Sequence, residues 1–375
     1  MKNWKAFVFI DLAIVLASVL RLGNFKIYIN LCLCLTTVDI FVSKLANIIK
    51  NQAMIKKIGV FTSGGDAPGM NACVRAVVRT AIYHNIEVVG IMRGYEGMIN
   101  GEFVPLETQS VANIIQRGGT ILKTARSKDF MTAEGRKKAY EQLKAAGIEA
   151  LVAIGGNGTF TGASIFEKEF GIPSIGTPGT IDNDLLGTDF TLGYDTAINT
   201  VIKAVDAIRD TAESHDRLFF VEVMGRDSGQ IALATGIGAG AEAILLPEVK
   251  FDLERLYDRL EKGRRKSAKI IIVAEGDEAG GAFAVAERVK EKFPHFDTKV
   301  SVLGHIQRGG SPSCFDRMLA SELGFHAVEA LLNGKKGVMV GKVDKRITYT
   351  PFDEAIKDTS KMDKDLLRMV GILAS

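Results

Sequence analysis

Ala150-Leu151-Val152-Ala153-Ile154 runs directly into Gly155-Gly156-Asn157-Gly158-Thr159. A short, wholly apolar run closed by glycines reads as a strand buried on both faces, followed by a tight turn into a helix. The same grammar occurs earlier, where Ile58-Gly59-Val60-Phe61 leads into Thr62-Ser63-Gly64-Gly65-Asp66-Ala67-Pro68-Gly69-Met70-Asn71 and a helical pattern through Tyr83. Two strand–glycine–helix units in a chain of alternating β and α patterns predict an α/β fold built on a doubly wound parallel sheet. In such turns backbone N–H groups and the helix start can hold an anion, so both are phosphate-loop candidates. The plainer alternative is a tight βα connection. Neither turn has the G-x-x-x-x-G-K-[ST] pattern, which is absent from the chain.

Working outward, the alternation continues with strands at 88–92, 172–175, 218–223, 244–246, 269–274 and 299–303, and helices at 133–146, 195–214 and 253–263. Shortly after the strand at 172–175 comes Pro178-Gly179-Thr180-Ile181-Asp182-Asn183-Asp184, which places two carboxylates at a strand exit. Ligands of open α/β sheets bind at such ends, where two acids can serve as general base and as metal or orientation partner. An acidic turn is the alternative. Gly304-His305-Ile306-Gln307-Arg308-Gly309-Gly310 sets an imidazole and a guanidinium before a glycine pair, a combination suited to a phosphorylated substrate. Gly236, Gly238 and Gly240 superficially resemble a dinucleotide fingerprint, but their context predicts helical packing.

The chain's 375 residues allow two domains with a well-buried core, and a formal net charge of +3 does not point to a nucleic-acid or lipid partner. Cys32, Cys34, Cys73 and Cys314 show neither zinc-ligand spacing nor a disulfide framework, which fits a reducing, cytoplasmic setting. Residues 1–53 stand apart. Their two apolar runs, 6–20 and 27–42, are interrupted by polar residues and fall short of the ~20 clean apolar residues of a bilayer span. Upstream sequence translated from a mis-assigned start, a membrane-associating extension and a cleaved signal are the readings available, and Met54-Ile55-Lys56-Lys57 looks like a natural beginning.

Taken in order, TSGGDAPGMN, PGTIDND, VEVMGR and GHIQRGGSP resemble the bacterial ATP-dependent 6-phosphofructokinase family, from Met54 to about Ile356. The resemblance implies two similar doubly wound, Rossmann-like α/β domains, each a three-layer αβα stack. Residues 54–193 with 307–357 would form a nucleotide-binding domain and 194–306 with 358–375 a substrate domain. It also implies transfer of the γ-phosphoryl of ATP to the 1-hydroxyl of fructose 6-phosphate, with Mg²⁺ required. Asp182 matches the proton acceptor, and Asp184 and Thr180 match groups that orient substrate and metal. Gly65, Tyr95, Arg126, Ser127, Gly156, Asn157, Gly158 and Thr159 match positions around the nucleotide, Arg126 being suited to stabilise developing charge. Met224, Gly225, Arg226, Glu275, His305 and Arg308 match sugar-phosphate contacts. Arg217 and Lys299 match residues that reach in from a neighbouring subunit, which implies a homo-oligomer, in this family usually a tetramer. Arg75, Arg79, Arg209, Glu242, Arg264 and Lys266 match an effector pocket for nucleoside diphosphate or phosphoenolpyruvate.

Asn157 departs from the family pattern, where an aspartate acts on nucleotide-bound Mg²⁺, and Lys299 stands where an arginine is usual. The neutral amide removes one charge from the metal's surroundings. It keeps open a second function, a catalytically weak paralogue binding nucleotide and sugar phosphate as a regulatory subunit. Pyrophosphate is the other conceivable donor. Gly158 and Gly179 argue for ATP, because pyrophosphate-using members carry larger side chains there, and glycine at 179 is expected to leave room for the α-phosphate.

Overall fold

The computed structural model describes residues 55–250, 252–262, 269–357 and 364–373. Residues Ile55–Ser375 form one compact unit, to which all of the described residues belong. The apolar N-terminal runs, with Cys32 and Cys34, lie outside the described residues, as do Arg264 and Lys266 of the expected effector set. No described helix is long and apolar enough to cross a membrane.

Two sheets carry the described residues. The first contains β1 (Lys57–Thr62), β2 (Glu87–Ile91), β3 (Phe103–Leu106), β4 (Ala150–Gly155), β5 (Ser174–Pro178), and later β10 (Val338–Val343) and β11 (Arg346–Pro351). Their order is β11-β10-β5-β4-β1-β2-β3. The second contains β6 (Arg217–Val223), β7 (Ala243–Leu245), β8 (Lys269–Ala274) and β9 (Asp297–Val302), in the order β7-β8-β6-β9 and parallel throughout. The expectation of an all-parallel arrangement needs one correction: β3 and β11 pair antiparallel at the two edges of the larger sheet. Edge strands need no crossover helix and tolerate Pro105, whose missing N–H costs a central ladder but not an edge.

Alternation along the strands explains the layers. Ile58, Val60, Val152 and Ile154 join the core beneath the helices Met70–Tyr83 and Cys314–Leu332, whereas Phe61, Leu151 and Ala153 join Ala139, Leu143 and Phe166 on the opposite face. In the smaller sheet Phe219, Val221, Ile270 and Ile272 face one cluster and Leu218, Phe220, Ile271 and Val273 the other. Both faces are therefore apolar and both are covered, which makes each sheet the centre of three layers.

Register then assembles the site. Thr62 pairs with Ile154 and Gly155 with Pro178, so β1, β4 and β5 end together. Ser63 N donates to Ile154 O at 3.0 Å and Gly179 N to Gly155 O at 2.9 Å, continuing the ladder into the three turns. In the second sheet Val223 pairs with Ala274, which brings Met224-Gly225-Arg226 beside Glu275. The strand expected at 172–175 runs instead from Ser174 to Pro178, because Pro178 can enter a strand whose ladder uses its carbonyl; Leu192 N donates to Pro178 O at 2.8 Å. Gly236 and Gly238 lie in the helix Gln230–Gly238, as their context predicted.

A buried carboxylate ties the two halves of the described chain together. Asp316, fully buried near the start of Cys314–Leu332, accepts Gly193 N at 2.9 Å and Thr196 N at 2.8 Å, the opening of Tyr194–Ser214. Burial raises its pKa while these donors pull it back down. Asp316→Ala leaves two buried N–H groups without an acceptor, each worth ~1–3 kcal/mol. A loss of about 2–5 kcal/mol in denaturant unfolding is expected; a loss below ~0.5 kcal/mol, the scale of ordinary surface changes, would contradict the anchoring role.

Candidate active site

The three turns and the Arg226 and Arg308 side chains enclose a cavity of about 610 Å³. Gly65, Tyr95, Arg126, Ser127, Gly156, Asn157, Gly158, Thr159, Thr180, Asp182, Asp184, Arg226 and Arg308, all read from the sequence, line it together. Gly65 has a packing reason to be glycine, since a Cβ there would sit 2.5 Å from Arg308 Nη1. Arg308 can therefore lie across the first turn, donating to Asp66 O at 3.3 Å while lining the same cavity as Asp182.

Electrostatics concentrate on the turn after β5. Asp182 is 4 % exposed, and burial raises its pKa against the opposing pull of Arg308 and Arg226. Arg226 Nε lies 3.8 Å from Asp182 Oδ2, and Asp182 N donates to Thr180 Oγ1 at 3.2 Å. Asp184 is pushed up to about 6, first by burial and then by the neighbouring Asp182 charge. Asn183 makes the tight spacing possible: its φ of 51° is left-handed, and its side chain accepts Thr191 N at 2.8 Å and donates to Asp189 O at 3.2 Å. Arg226 is also left-handed, at φ 54°, and its N–H donates to Glu275 Oε1 at 2.9 Å. Glu275 thereby holds the turn that presents Arg226, and Met224 N donates to Gln307 Oε1 at 3.3 Å.

Asn157 Nδ2 donates to Asp184 Oδ2 at 2.6 Å. Asn157 Oδ1, Asp182 Oδ1 and Asp184 Oδ1 are buried and have no hydrogen-bond partner. Three orphaned oxygens on the wall of one cavity fit a hard cation that prefers oxygen. Among the described residues there is no group of three or more His, Cys, Asp and Glu able to hold a metal without help. The donor set suits Mg²⁺ shared with phosphate oxygens better than an all-protein cage.

The opposite end of the cavity escaped sequence reasoning. Phe130, Met131, Gly162 and Ile165 form an apolar wall. Tyr95 stacks on Phe130 at 3.9 Å between centroids and donates its hydroxyl to Thr159 O at 2.6 Å. Tyr95 is therefore a buried strut of this wall. Arg136 also lines the cavity, but its guanidinium donates to Glu169, Phe130 O and Met131 O. No glycine cluster or charge pattern marks these residues; the one available signal was an aromatic at 130 shortly after Arg126-Ser127.

One expectation is overturned here. A Cβ on Gly179 would point at Met70 Cε (3.0 Å), Ile154 Cγ2 (3.1 Å) and Gly155 N (3.3 Å), into packed protein. Glycine at 179 answers to packing, whereas at Gly158 a Cβ meets nothing within 4 Å.

Other predicted residues stand outside the cavity lining. His305 is exposed on the 3₁₀ turn Gly304–Arg308. Arg217 and Lys299 share the Asp297 carboxylate, at 2.8 Å and 2.7 Å, on the β6–β9 edge. Arg75 and Arg79 lie one turn apart on Met70–Tyr83, where burial and then Arg79 lower the Arg75 pKa. Arg209 donates to Ala239 O, and Glu242 is buried just before β7.

The family model described as Phosphofructokinase matches residues 57–331. The ATP-dependent 6-phosphofructokinase of Cytophaga hutchinsonii is 56% identical over 317 residues, covering 84% of this chain and 97% of that protein. ATP-dependent 6-phosphofructokinase 1 of Thermus thermophilus is 56% identical over 322 residues, 85% of this chain and all of its own length. Among solved structures, phosphofructokinase from Saccharomyces cerevisiae superposes with a TM-score of 0.77 at 36% identity, over 85% of this chain and 47% of that one. A pyrophosphate-dependent phosphofructokinase from Nitrosospira multiformis has a TM-score of 0.75 at 20% identity, over 85% of this chain and 92% of that one, a likeness of fold.

Proposed function

The chain belongs to the phosphofructokinase family, and on that premise we propose how its residues carry out the reaction of the ATP-dependent members. It is a kinase that phosphorylates fructose 6-phosphate to fructose 1,6-bisphosphate with ATP, in glycolysis. The observation that carries the assignment of roles is the buried Asp182 carboxylate, held between two guanidiniums on the wall of a cavity lined by two glycine turns.

In this reading the nucleotide lies along the cavity, its base on the Phe130–Ile165 wall and its phosphates over Gly64-Gly65 and Gly156-Asn157-Gly158, near Arg126. Asp182 accepts the proton of the sugar 1-hydroxyl as that oxygen attacks in line, and its burial keeps it a competent base. Arg226 and Arg308 hold phosphate oxygens and keep Asp182 ionised. Asp184, Asp182 and the Asn157 carbonyl would hold Mg²⁺ together with nucleotide oxygens. Bound there, Mg²⁺ supplies neutralisation of the charge that develops on the transferring phosphoryl group. Residues 54–193 with 307–357 serve as the nucleotide-binding domain, and 194–306 with 358–375 as the substrate domain. We place the protein in the cytoplasm.

Arg217 and Lys299 complete the sugar-phosphate site of a neighbouring copy in a homo-oligomer, most simply a tetramer. Their position away from this chain's own cavity supports that reading. Arg217→Ala is expected to raise the KM for fructose 6-phosphate by about tenfold or more, the scale of one charge-assisted phosphate contact, with the KM for ATP nearly unchanged. Equal effects on both constants would contradict the shared site. Arg75, Arg79, Arg209 and Glu242 form an effector pocket between copies, for nucleoside diphosphate or phosphoenolpyruvate.

Asn157 supports one second reading, a weakly catalytic subunit that binds the same ligands. A coupled assay of the full chain with fructose 6-phosphate and Mg²⁺ separates the two. Turnover with ATP and little with pyrophosphate is expected; binding of both substrates without turnover would favour the second reading.

A further inference from the structure

A second cavity, of about 350 Å³, opens beyond the ends of β7 and β8, against the helices Leu253–Lys262 and Lys364–Leu373. Its floor is apolar: Leu233, Leu246 and Leu256 are at most 3 % exposed, and Leu367 and Val370 of the last helix close one side. Its rim is cationic, with Lys250, Arg255, Arg259 and Arg368 against Asp252 and Asp277. Both acids already hold main-chain N–H groups: Asp252 accepts Arg255 N at 3.1 Å and Asp277 accepts Ala279 N at 2.8 Å.

The cations outnumber the acids around them, Asp252 and Asp277 on the rim and Glu242 beside Arg259. Arg255 and Arg259 stand four residues apart on one helix face, a spacing at which like charges repel. Burial and then Arg255 lower the Arg259 pKa, and the Glu242 charge only partly offsets them. Arg259 makes a long hydrogen bond among the described residues, Nη1 to Glu242 O at 3.4 Å. Among the described residues no ion pair engages Lys250, Arg255 or Arg368. An apolar floor beneath a rim with more cations than acids is complementary to a molecule with an apolar body and one anionic end. The volume is at the small end of the ~300–1,000 Å³ usual for such sites.

We propose that this cavity is a binding site for a small amphipathic carboxylate, its head held by Arg255, Arg259 and Arg368 and its aliphatic body, roughly six to ten carbons, on the leucine floor. The site is separate from the active-site cavity, with which it shares no lining residue. It takes neither a nucleotide, for which it is too small, nor a bare anion, for which the floor contributes nothing.

Calorimetric titration of the full chain with sodium octanoate at constant ionic strength tests this. One saturable site per chain is expected, with acetate giving no measurable heat at the same concentrations, because acetate lacks the methylenes that the leucine floor would bury. Arg255→Ala combined with Arg368→Ala is expected to weaken octanoate by at least about tenfold. Saturating ATP is expected to leave it bound. Absence of saturable octanoate binding, equal binding of acetate, displacement by ATP, or an unchanged affinity in the double variant would each overturn the proposal. If the double variant does not fold, the exposed Arg255→Gln replacement alone reads the same contact.

Discussion

Asp182→Asn is expected to lower kcat by about 10²–10⁴-fold, the range for losing a positioned general base, while KM for ATP changes little. The amide is isosteric, so the 4 %-exposed site keeps its packing and the two guanidiniums keep an oxygen to face. Stability provides the control. The Asp182 pKa is raised in the folded chain, so the folded state holds its proton more tightly than the unfolded one, and the ionised group costs stability once pH rises through that value. A neutral amide removes this cost, so the melting temperature near neutral pH is expected to hold or rise as activity collapses. A variant that loses both together would show Asp182 to be a structural residue. In the wild type, kcat/KM, which reports the free enzyme, is expected to fall as pH drops through about 6, where Asp184, whose charge the proposed metal site needs, takes up a proton; the Asp182 pKa is also raised by burial. A flat profile down to pH 5 would be incompatible with a carboxylate base in this environment.

How much of this was legible in the chain follows from what each signal depends on. β4 and β8 are buried on both faces, so their apolar runs are continuous and need no context to be read. β3 and β11 are partly exposed edge strands, each paired antiparallel with the strand just before it in the chain, and neither carries the continuous buried run that marks a central strand. The glycine turns were readable because close backbone approach leaves glycine as a signature. Gly179 shows the limit of that signature: the sequence reports that a side chain is excluded, but the direction of the missing Cβ belongs to the fold. The Phe130–Ile165 wall was illegible for a related reason, since an apolar residue facing a ligand and one facing the core look alike until the sheet is assembled. Arg217 and Lys299 became interpretable once the register set both beside Asp297 and away from this chain's cavity.

Asn157→Asp carries the largest expected gain. In the wild type the Asn157 amide donates to Asp184 at 2.6 Å and so relieves a buried acid that already feels Asp182. An aspartate cannot donate, and it adds a third carboxylate to a cavity wall where three oxygens already lack partners. Without a divalent cation these charges repel at short range in a poorly solvated place, so the variant is expected to melt earlier than the wild type near neutral pH. With Mg²⁺ present the order reverses, because the cation gains a charged oxygen ligand in place of an amide carbonyl. The Mg²⁺ concentration giving half of the thermal stabilisation is expected to fall by about 10–100-fold, the scale on which single changes around a bound metal act, and the requirement for Mg²⁺ in turnover should fall with it. Thermal melts across a Mg²⁺ series read the first effect without depending on activity. Identical Mg²⁺ midpoints in the two proteins would place the cation away from residue 157, and with it the structural reason for treating that position as the weak point of the active site.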